Sequence, residues 1–224
     1  MRTQTLFSIV LLIIGVWSQH QVYATSFSIN IQDKERLQRG AKLFMNYCSG
    51  CHSLKYLRYN RMAKGLGLMR SAGQIDEGLL KNNLIFTEAK INDPIQIAMP
   101  PEDAKQWFGI VPPDLSLVTR AKGSEWLYNY LISFYNDDSR PFGTNNSLVP
   151  DVAMPNILDT LHNKMRTGQF DESVLDLVTF LTYVSEPTQT ERYHMGFFVI
   201  GFLVILFLVI WRLKIVYWRK IGIK

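Results

Sequence analysis

From Met195 to Trp211 the chain runs for seventeen residues without one charged side chain. Such a run crosses a hydrocarbon core as a single helix once Arg212 and Lys214 reach back to the interface and Ile215 to Trp218 extend it. It is too uniformly apolar for a helix that turns one face to water. The five basic residues beyond it, Arg212, Lys214, Arg219, Lys220 and Lys224, are joined by no acid. A flank of that kind stays on the cytoplasmic side, so what precedes the helix faces outward. At the other end, Arg2, the largely apolar Leu6–Trp17 run and a polar stretch ending Val22-Tyr23-Ala24 form the three zones of a secretory signal peptide. The expected division is a signal peptide at 1–24, an exported domain at 25–190, an anchor at 195–214 and a short basic tail at 215–224.

This division changes what the net charge of +5 means. Arg2 and the five tail residues hold six of the 24 bases, and the other eighteen face all 19 acids. The exported domain is therefore close to −1, and the basic balance belongs to targeting and anchoring; it gives no support to nucleic-acid binding. Acids such as Asp76, Glu77, Glu102, Asp103, Asp137 and Asp138 are either a docking patch for a basic partner or scattered solvated charges. The sequence shows no internal repeat, phosphate-binding loop or hydrolytic triad.

Within the exported domain stands Cys48-Ser49-Gly50-Cys51-His52, which holds both cysteines of the chain. The pattern C-x-x-C-H is the attachment signature of a c-type haem. Two thiols three residues apart on a helical turn face one side and can add across the two vinyl groups of one porphyrin. The next residue, His52, offers an imidazole as proximal ligand. Two other readings compete: an ordinary disulfide of an exported protein, and a thioredoxin-like redox pair.

Helical spacing of Leu37, Gly40, Ala41, Phe44 and Cys48 predicts a helix from Asp33, as N-cap, to Tyr47. A glycine on its buried face makes sense where another helix crosses closely. The partner is expected at Asp171–Val184, whose Val174, Leu177, Val178 and Leu181 form an apolar stripe ended by Pro187. Lys64-Gly65-Leu66-Gly67 marks a turn, and the Pro-rich stretch from Pro94 to Pro113 is expected to be irregular.

Gly40-x-x-x-Phe44-x-x-x-Cys48 leading into C-x-x-C-H resembles the N-terminal helix of class I cytochromes c, which crosses the C-terminal one. Four further segments follow in order: His52-Ser53-Leu54-Lys55-Tyr56-Leu57-Arg58-Tyr59-Asn60-Arg61, Val111-Pro112-Pro113-Asp114-Leu115-Ser116, Ala153-Met154-Pro155, and Leu181-Thr182-Tyr183-Val184-Ser185-Glu186-Pro187. With the C-terminal anchor, this order resembles the cytochrome c1 family across essentially the whole mature chain. The resemblance implies a mainly α fold: a class I cytochrome c-like haem domain with long loop insertions, plus one C-terminal transmembrane helix.

It also implies one covalently attached haem c with His/Met axial ligation and no catalytic residue in the chain itself. Met99 and Met154 each sit in Ala-Met-Pro, and local pattern does not separate them. The family places the distal methionine in a loop shortly before the last helix of the domain, at Met154, so His52 and Met154 are the expected iron ligands. Pro112 and Pro113 would form a rigid loop whose carbonyl accepts the His52 N–H, or else a turn before a helix at Asp114. By the same resemblance Arg120 reaches a haem propionate, against the alternative of an exposed arginine. Tyr59 and Trp126 line the pocket, against ordinary packing.

The function so implied is electron transfer within a respiratory cytochrome bc1 complex, from a Rieske iron-sulfur protein to a soluble cytochrome c. Cytochrome b and the Rieske subunit would be neighbours in a dimeric complex of a bacterial inner membrane, with the haem domain in the periplasm. The alternatives are a free-standing anchored cytochrome c shuttle to a terminal oxidase and, in another class, a membrane-tethered thiol-disulfide oxidoreductase.

Overall fold

A computed structural model describes residues 28–71 and 73–222; the predicted signal peptide at 1–24 lies outside the described residues. Asp33 starts the first helix as expected, its Oδ1 accepting from Arg36 N at 3.0 Å. That helix, α1 (Lys34–Leu43), widens into a π-helical turn, Phe44–Cys48. The turn is closed by Ser49 N donating to Phe44 O at 2.9 Å. The predicted extent is thus nearly right, but the last turn is looser than an α-helix, a change in pitch that concentrates at functional sites.

Next come β1 (Leu54–Arg58), α2 (Tyr59–Leu66), α3 (Glu77–Asn83), β2 (Pro94–Ile95) and α4 (Pro101–Phe108). They are followed by α5 (Val118–Lys122), α6 (Ser124–Ile132), β3 (Phe134–Asn136), β4 (Thr144–Asn146), α7 (Asp159–Lys164), α8 (Thr167–Ser185) and α9 (Gln189–Lys220). The strands form two small antiparallel pairs, β1 with β2 and β3 with β4. The turn after α2 has Gly67 in the left-handed region at φ 73, a conformation that costs glycine little. The Pro94–Pro113 stretch is more ordered than expected, because prolines at a helix start assist it: Pro100 is the N-cap of α4, and Glu102 and Asp103 sit in the first turn.

The core centres on α1 crossing α8. Leu37, Ala41 and Phe44 from one helix and Val174, Leu177, Val178 and Phe180 from the other are buried, and the Phe44 and Phe180 rings lie 5.9 Å apart. Gly40 marks the crossing point: a Cβ there would lie 2.1 Å from the Asp176 carbonyl oxygen and 2.7 Å from Phe180 Cβ. At the rim of the crossing, Arg39 Nε donates to Asp176 Oδ2 at 2.6 Å. The second helix begins four residues before the expected Asp171, since Phe170 is already buried and packs its ring against His162 at 4.6 Å.

Below this domain α9 runs longer than the apolar segment, from Gln189 to Lys220. Its spanning window has a mean hydropathy of 2.6 and none of it is buried within the chain. The junction carries its own ties. Arg192 donates to both oxygens of Glu186, with Nη2 to Oε2 at 3.1 Å, and Arg61 Nη2 donates to Pro187 O at 3.4 Å.

The Arg192 hydrogen bond holds the Glu186 carboxyl below its usual range near 4.5. A depressed carboxyl contributes stability that is fully present above that usual value and is lost as pH falls through the folded one. A spin label at Gln189 is therefore expected to stay immobile at neutral pH and to gain mobility only on acidification below the usual carboxylate range near 4.5. In Glu186→Gln it is mobile at neutral pH already; a flat profile in the unsubstituted chain contradicts the tie.

Candidate functional site

The π-helical turn ends at Cys48, and the chain then folds back on it: Cys51 N and His52 N donate to Cys48 O at 3.0 and 2.8 Å. This single carbonyl gathers both cysteines and the histidine into one tight turn. The sulfurs are free thiols. Burial and the neighbouring Cys51 push the Cys48 thiol up to about 12, and burial also raises Cys51. A redox nucleophile needs the opposite, a thiol lowered toward working pH. The thioredoxin-like reading loses ground accordingly.

The P-P-D-L-S segment is sewn to the motif residue by residue. His52 Nδ1 lies 2.7 Å from Pro113 O, a contact that requires the ring to donate from Nδ1 and leaves the Nε2 lone pair free. Leu115 N donates to Ser53 O at 2.9 Å. Asp114 accepts from Lys55 N at 2.8 Å and from Ser116 N at 2.9 Å. The Ser116 hydroxyl, fully buried, accepts from Tyr56 N at 3.1 Å. Desolvation lowers the His52 pKa, opposed by the Pro113 carbonyl, so the imidazole is neutral, as a metal ligand must be. The expected carbonyl partner is thus in place, and the following helix starts only at Val118. Asp114 is instead used as a hydrogen-bond bracket.

Two thiols in one turn and a neutral imidazole with its outer nitrogen held by a carbonyl match the donor set of a c-type haem. The other expected residues are spread over the elements that follow. Trp126 and Tyr130, four residues apart on α6, stack at 5.3 Å and 9°, with Lys122 Nζ 5.4 Å from the Trp126 ring. Met154 is half-buried, and its Sδ accepts from the Tyr130 hydroxyl at 3.5 Å. Met99 is half-buried in the turn leading into α4. Arg120, on α5, is largely exposed and pairs at 4.0 Å with Glu186. Tyr59 is buried in the core, where it heads α2, and its hydroxyl bonds Thr87.

The structure therefore joins His52 to Pro113, and Met154 to Trp126 through Tyr130. It sets Tyr59 among the 85–93 contacts and turns Arg120 toward the junction. Tyr130 was not singled out from the sequence, and Asp114 and Ser116 were read only as members of the P-P-D-L-S segment. The i, i+4 spacing of Trp126 and Tyr130 was the available signal for the tyrosine.

Residues 23–221 match the family described as "Cytochrome C1 family". Cytochrome c1 of Allochromatium vinosum is 44% identical over 223 residues, covering 88% of each chain. The ammonia monooxygenase gamma subunit of Nitrosomonas europaea is 36% identical over 221 residues, covering 91% of each. A mitochondrial cytochrome c1 heme protein of Solanum tuberosum is 28% identical over 187 residues, with 74% of this chain and 71% of that one covered. A chain of a hyperthermophilic respiratory Complex III aligns over 99% of this chain and 98% of its own at 18% identity, with a TM-score of 0.45. On the extent of the family match and the identity to its bacterial relative, this chain belongs to the cytochrome c1 family.

Proposed function

We propose that the chain is the electron-transfer subunit of a cytochrome bc1 complex, taking electrons from a Rieske iron-sulfur subunit and passing them to a soluble cytochrome c. The observation that carries this reading is the His52–Pro113 contact at 2.7 Å inside the C-x-x-C-H turn. A haem c supplies, when bound, a one-electron ferrous/ferric couple. Cys48 and Cys51 would hold it by thioether bonds, while His52, held in one tautomer by Pro113, and Met154 would ligate its iron. Imidazole with thioether favours a higher potential than two imidazoles, because sulfur is a soft neutral donor suited to ferrous iron. Trp126, stacked on Tyr130, would supply an apolar wall, whereas Arg120, paired with Glu186, would have to leave that partner to reach a propionate, and Tyr59 is engaged with Thr87 in the core.

In this reading the basic flank from Arg212 to Lys224 stays cytoplasmic and the domain at 25–190 lies on the periplasmic side of a bacterial inner membrane, behind a signal peptide at 1–24. Cytochrome b and the Rieske protein are its neighbours in a dimeric assembly. The test is affinity isolation in mild detergent from native membranes, with a reduced-minus-oxidised spectrum and identification of the co-purifying chains. Haem c together with haem b and a Rieske protein is the expected result. Haem c without them overturns membership in favour of an anchored shuttle, and monooxygenase chains in their place favour the assembly named by the Nitrosomonas relative.

A further inference from the structure

Arg140 lies in the turn between β3 and β4, where its N–H donates to Asp137 O at 3.1 Å and its carbonyl accepts from Gly143 N at 3.0 Å. Its guanidinium is clamped from one end. Nη1 donates to Asp151 Oδ1 and Nη2 to Asp151 O, both at 2.9 Å, while Asn145 Oδ1 accepts from Asp151 N at 3.0 Å. Together these bonds hold Asp151 in the left-handed region at φ 61, where residues other than glycine are uncommon. A guanidinium has two forked edges, and the clamp takes only the one between the Nη atoms. On the other edge Nε is buried and without a partner; among the described residues only Ser185 Oγ shares that condition. A buried donor on a cation is costly to leave unpaired, so this edge calls for an acceptor.

The surroundings of the edge say which acceptor. Arg140 lines a cavity of about 240 Å³ with Trp107, Phe108, Phe142, Val152 and Ala153, and the Phe108 and Phe142 rings lie 5.8 Å apart. One wall is the end of α4, which runs on into the Pro112-Pro113 loop that holds His52. The opposite wall, Val152-Ala153, leads straight into Met154. A group that suits this cavity is apolar over most of its area, carries an anion, and reaches both the loop behind His52 and the loop of Met154. The edge of a haem has that chemistry, an apolar porphyrin rim ending in a propionate. Arg120 does not compete in this arrangement, because it is largely exposed and already faces Glu186 at 4.0 Å.

We propose that Arg140 binds a haem propionate through its Nε edge, with Asp151 holding the guanidinium in place. The proposal rests on the reading of the chain as a haem c protein. A guanidinium suits the planar carboxylate, which it meets with two parallel N–H donors. Its charge keeps the propionate ionised. The same charge disfavours the extra positive charge of ferric iron, so it raises the reduction potential.

The experiment uses the full chain in its native membranes, with haem staining, redox titration and the resonance Raman propionate-bending mode, which reads hydrogen bonding to the carboxylate. Arg140→Gln is expected to retain covalent haem, to lower the midpoint potential, and to shift the propionate mode to lower frequency. Asp151→Asn removes an anion and keeps the cation, so it moves the potential the other way. A clamp that only braced the loop before Met154 would move both variants in one direction, and that result overturns the proposal. An unmoved potential and mode in Arg140→Gln, or the same changes produced by Arg120→Gln in its place, overturns it too. Arg140→Lys keeps the charge and loses the fork: the mode shifts while most of the potential is kept, which tests the contact independently of whether Arg140→Gln accumulates. An unshifted mode in Arg140→Lys counts against the contact. Absence of haem stain in the unsubstituted chain overturns the haem reading and this proposal with it, whereas a stained chain indifferent to Arg140 overturns the proposal alone.

Discussion

Alanine at both Cys48 and Cys51 abolishes covalently held haem, and alanine at His52 leaves the pigment attached but removes its proximal ligand. The two outcomes differ because the turn separates the tasks. The cysteines share one face and are gathered by the Cys48 carbonyl, whereas the imidazole is anchored from outside by Pro113 at 2.7 Å. Haem staining on a denaturing gel reads the first: signal in the unsubstituted chain and none in the double variant. Covalent pigment in the double variant would defeat the site as drawn. A spectrum of the ferrous form reads the second, with the low-spin bands lost in His52→Ala. Loss of a ligand removes a bond to the iron outright, so the effect on the reduction potential is large. A thiol-disulfide exchanger predicts the reverse pattern: no haem stain in any version and thiol-exchange activity lost with the cysteines. The upward shift of both thiols already weighs against it.

The readable parts of this chain were those in which chemistry or periodicity acts locally. The anchor was visible because seventeen uncharged residues have no other stable home. The crossing of the first and last domain helices was visible because a glycine on an apolar stripe is costly unless something approaches it. The haem turn was visible because two thiols and an imidazole at fixed spacing have few other uses. Three features were not legible, each set by partners distant in sequence. The P-P-D-L-S segment reads locally as a turn; its brackets to Ser53, Lys55 and Tyr56 arise from residues about sixty positions away. Tyr130 reads as one more aromatic until the loop after β4 brings Met154 to its hydroxyl. Arg120 carries a charge whose partner in the structure, Glu186, lies at the far end of α8. The helix Pro101–Phe108 was missed for a different reason: proline ends a helix from inside but begins one from its first turn, and a proline-rich stretch alone does not say which.

Gly40→Ala is expected to lower the thermal midpoint of the detergent-solubilised protein by roughly 4–8 °C or more, and Gly40→Val to prevent accumulation of the folded domain. In an open helix the same change to alanine stabilises by about 0.5–1 kcal/mol, since glycine has more backbone freedom to lose. Here the added carbon would stand 2.1 Å from the Asp176 carbonyl oxygen and 2.7 Å from Phe180 Cβ. Neither obstacle is a side-chain tip that can swing away. α1 and α8 would have to part, opening gaps among Leu37, Phe44, Leu177 and Phe180, all buried. Overpacking costs about 1–3 kcal/mol and occasionally more; against backbone the upper end applies, so about 2 kcal/mol or more of net loss survives the helix-propensity gain. For a domain of this size each kcal/mol is worth about 2–4 °C. Valine adds two further methyls at the same contact and exceeds what a marginally stable domain tolerates. Gly168, also helical but with nothing within 4 Å of an added Cβ, is the control: Gly168→Ala raises the midpoint or leaves it unchanged. Equal behaviour of the two alanine variants would mean that α1 and α8 do not meet at Gly40. The π-helical turn that delivers Cys48 and His52 would then lose the support on which the site depends.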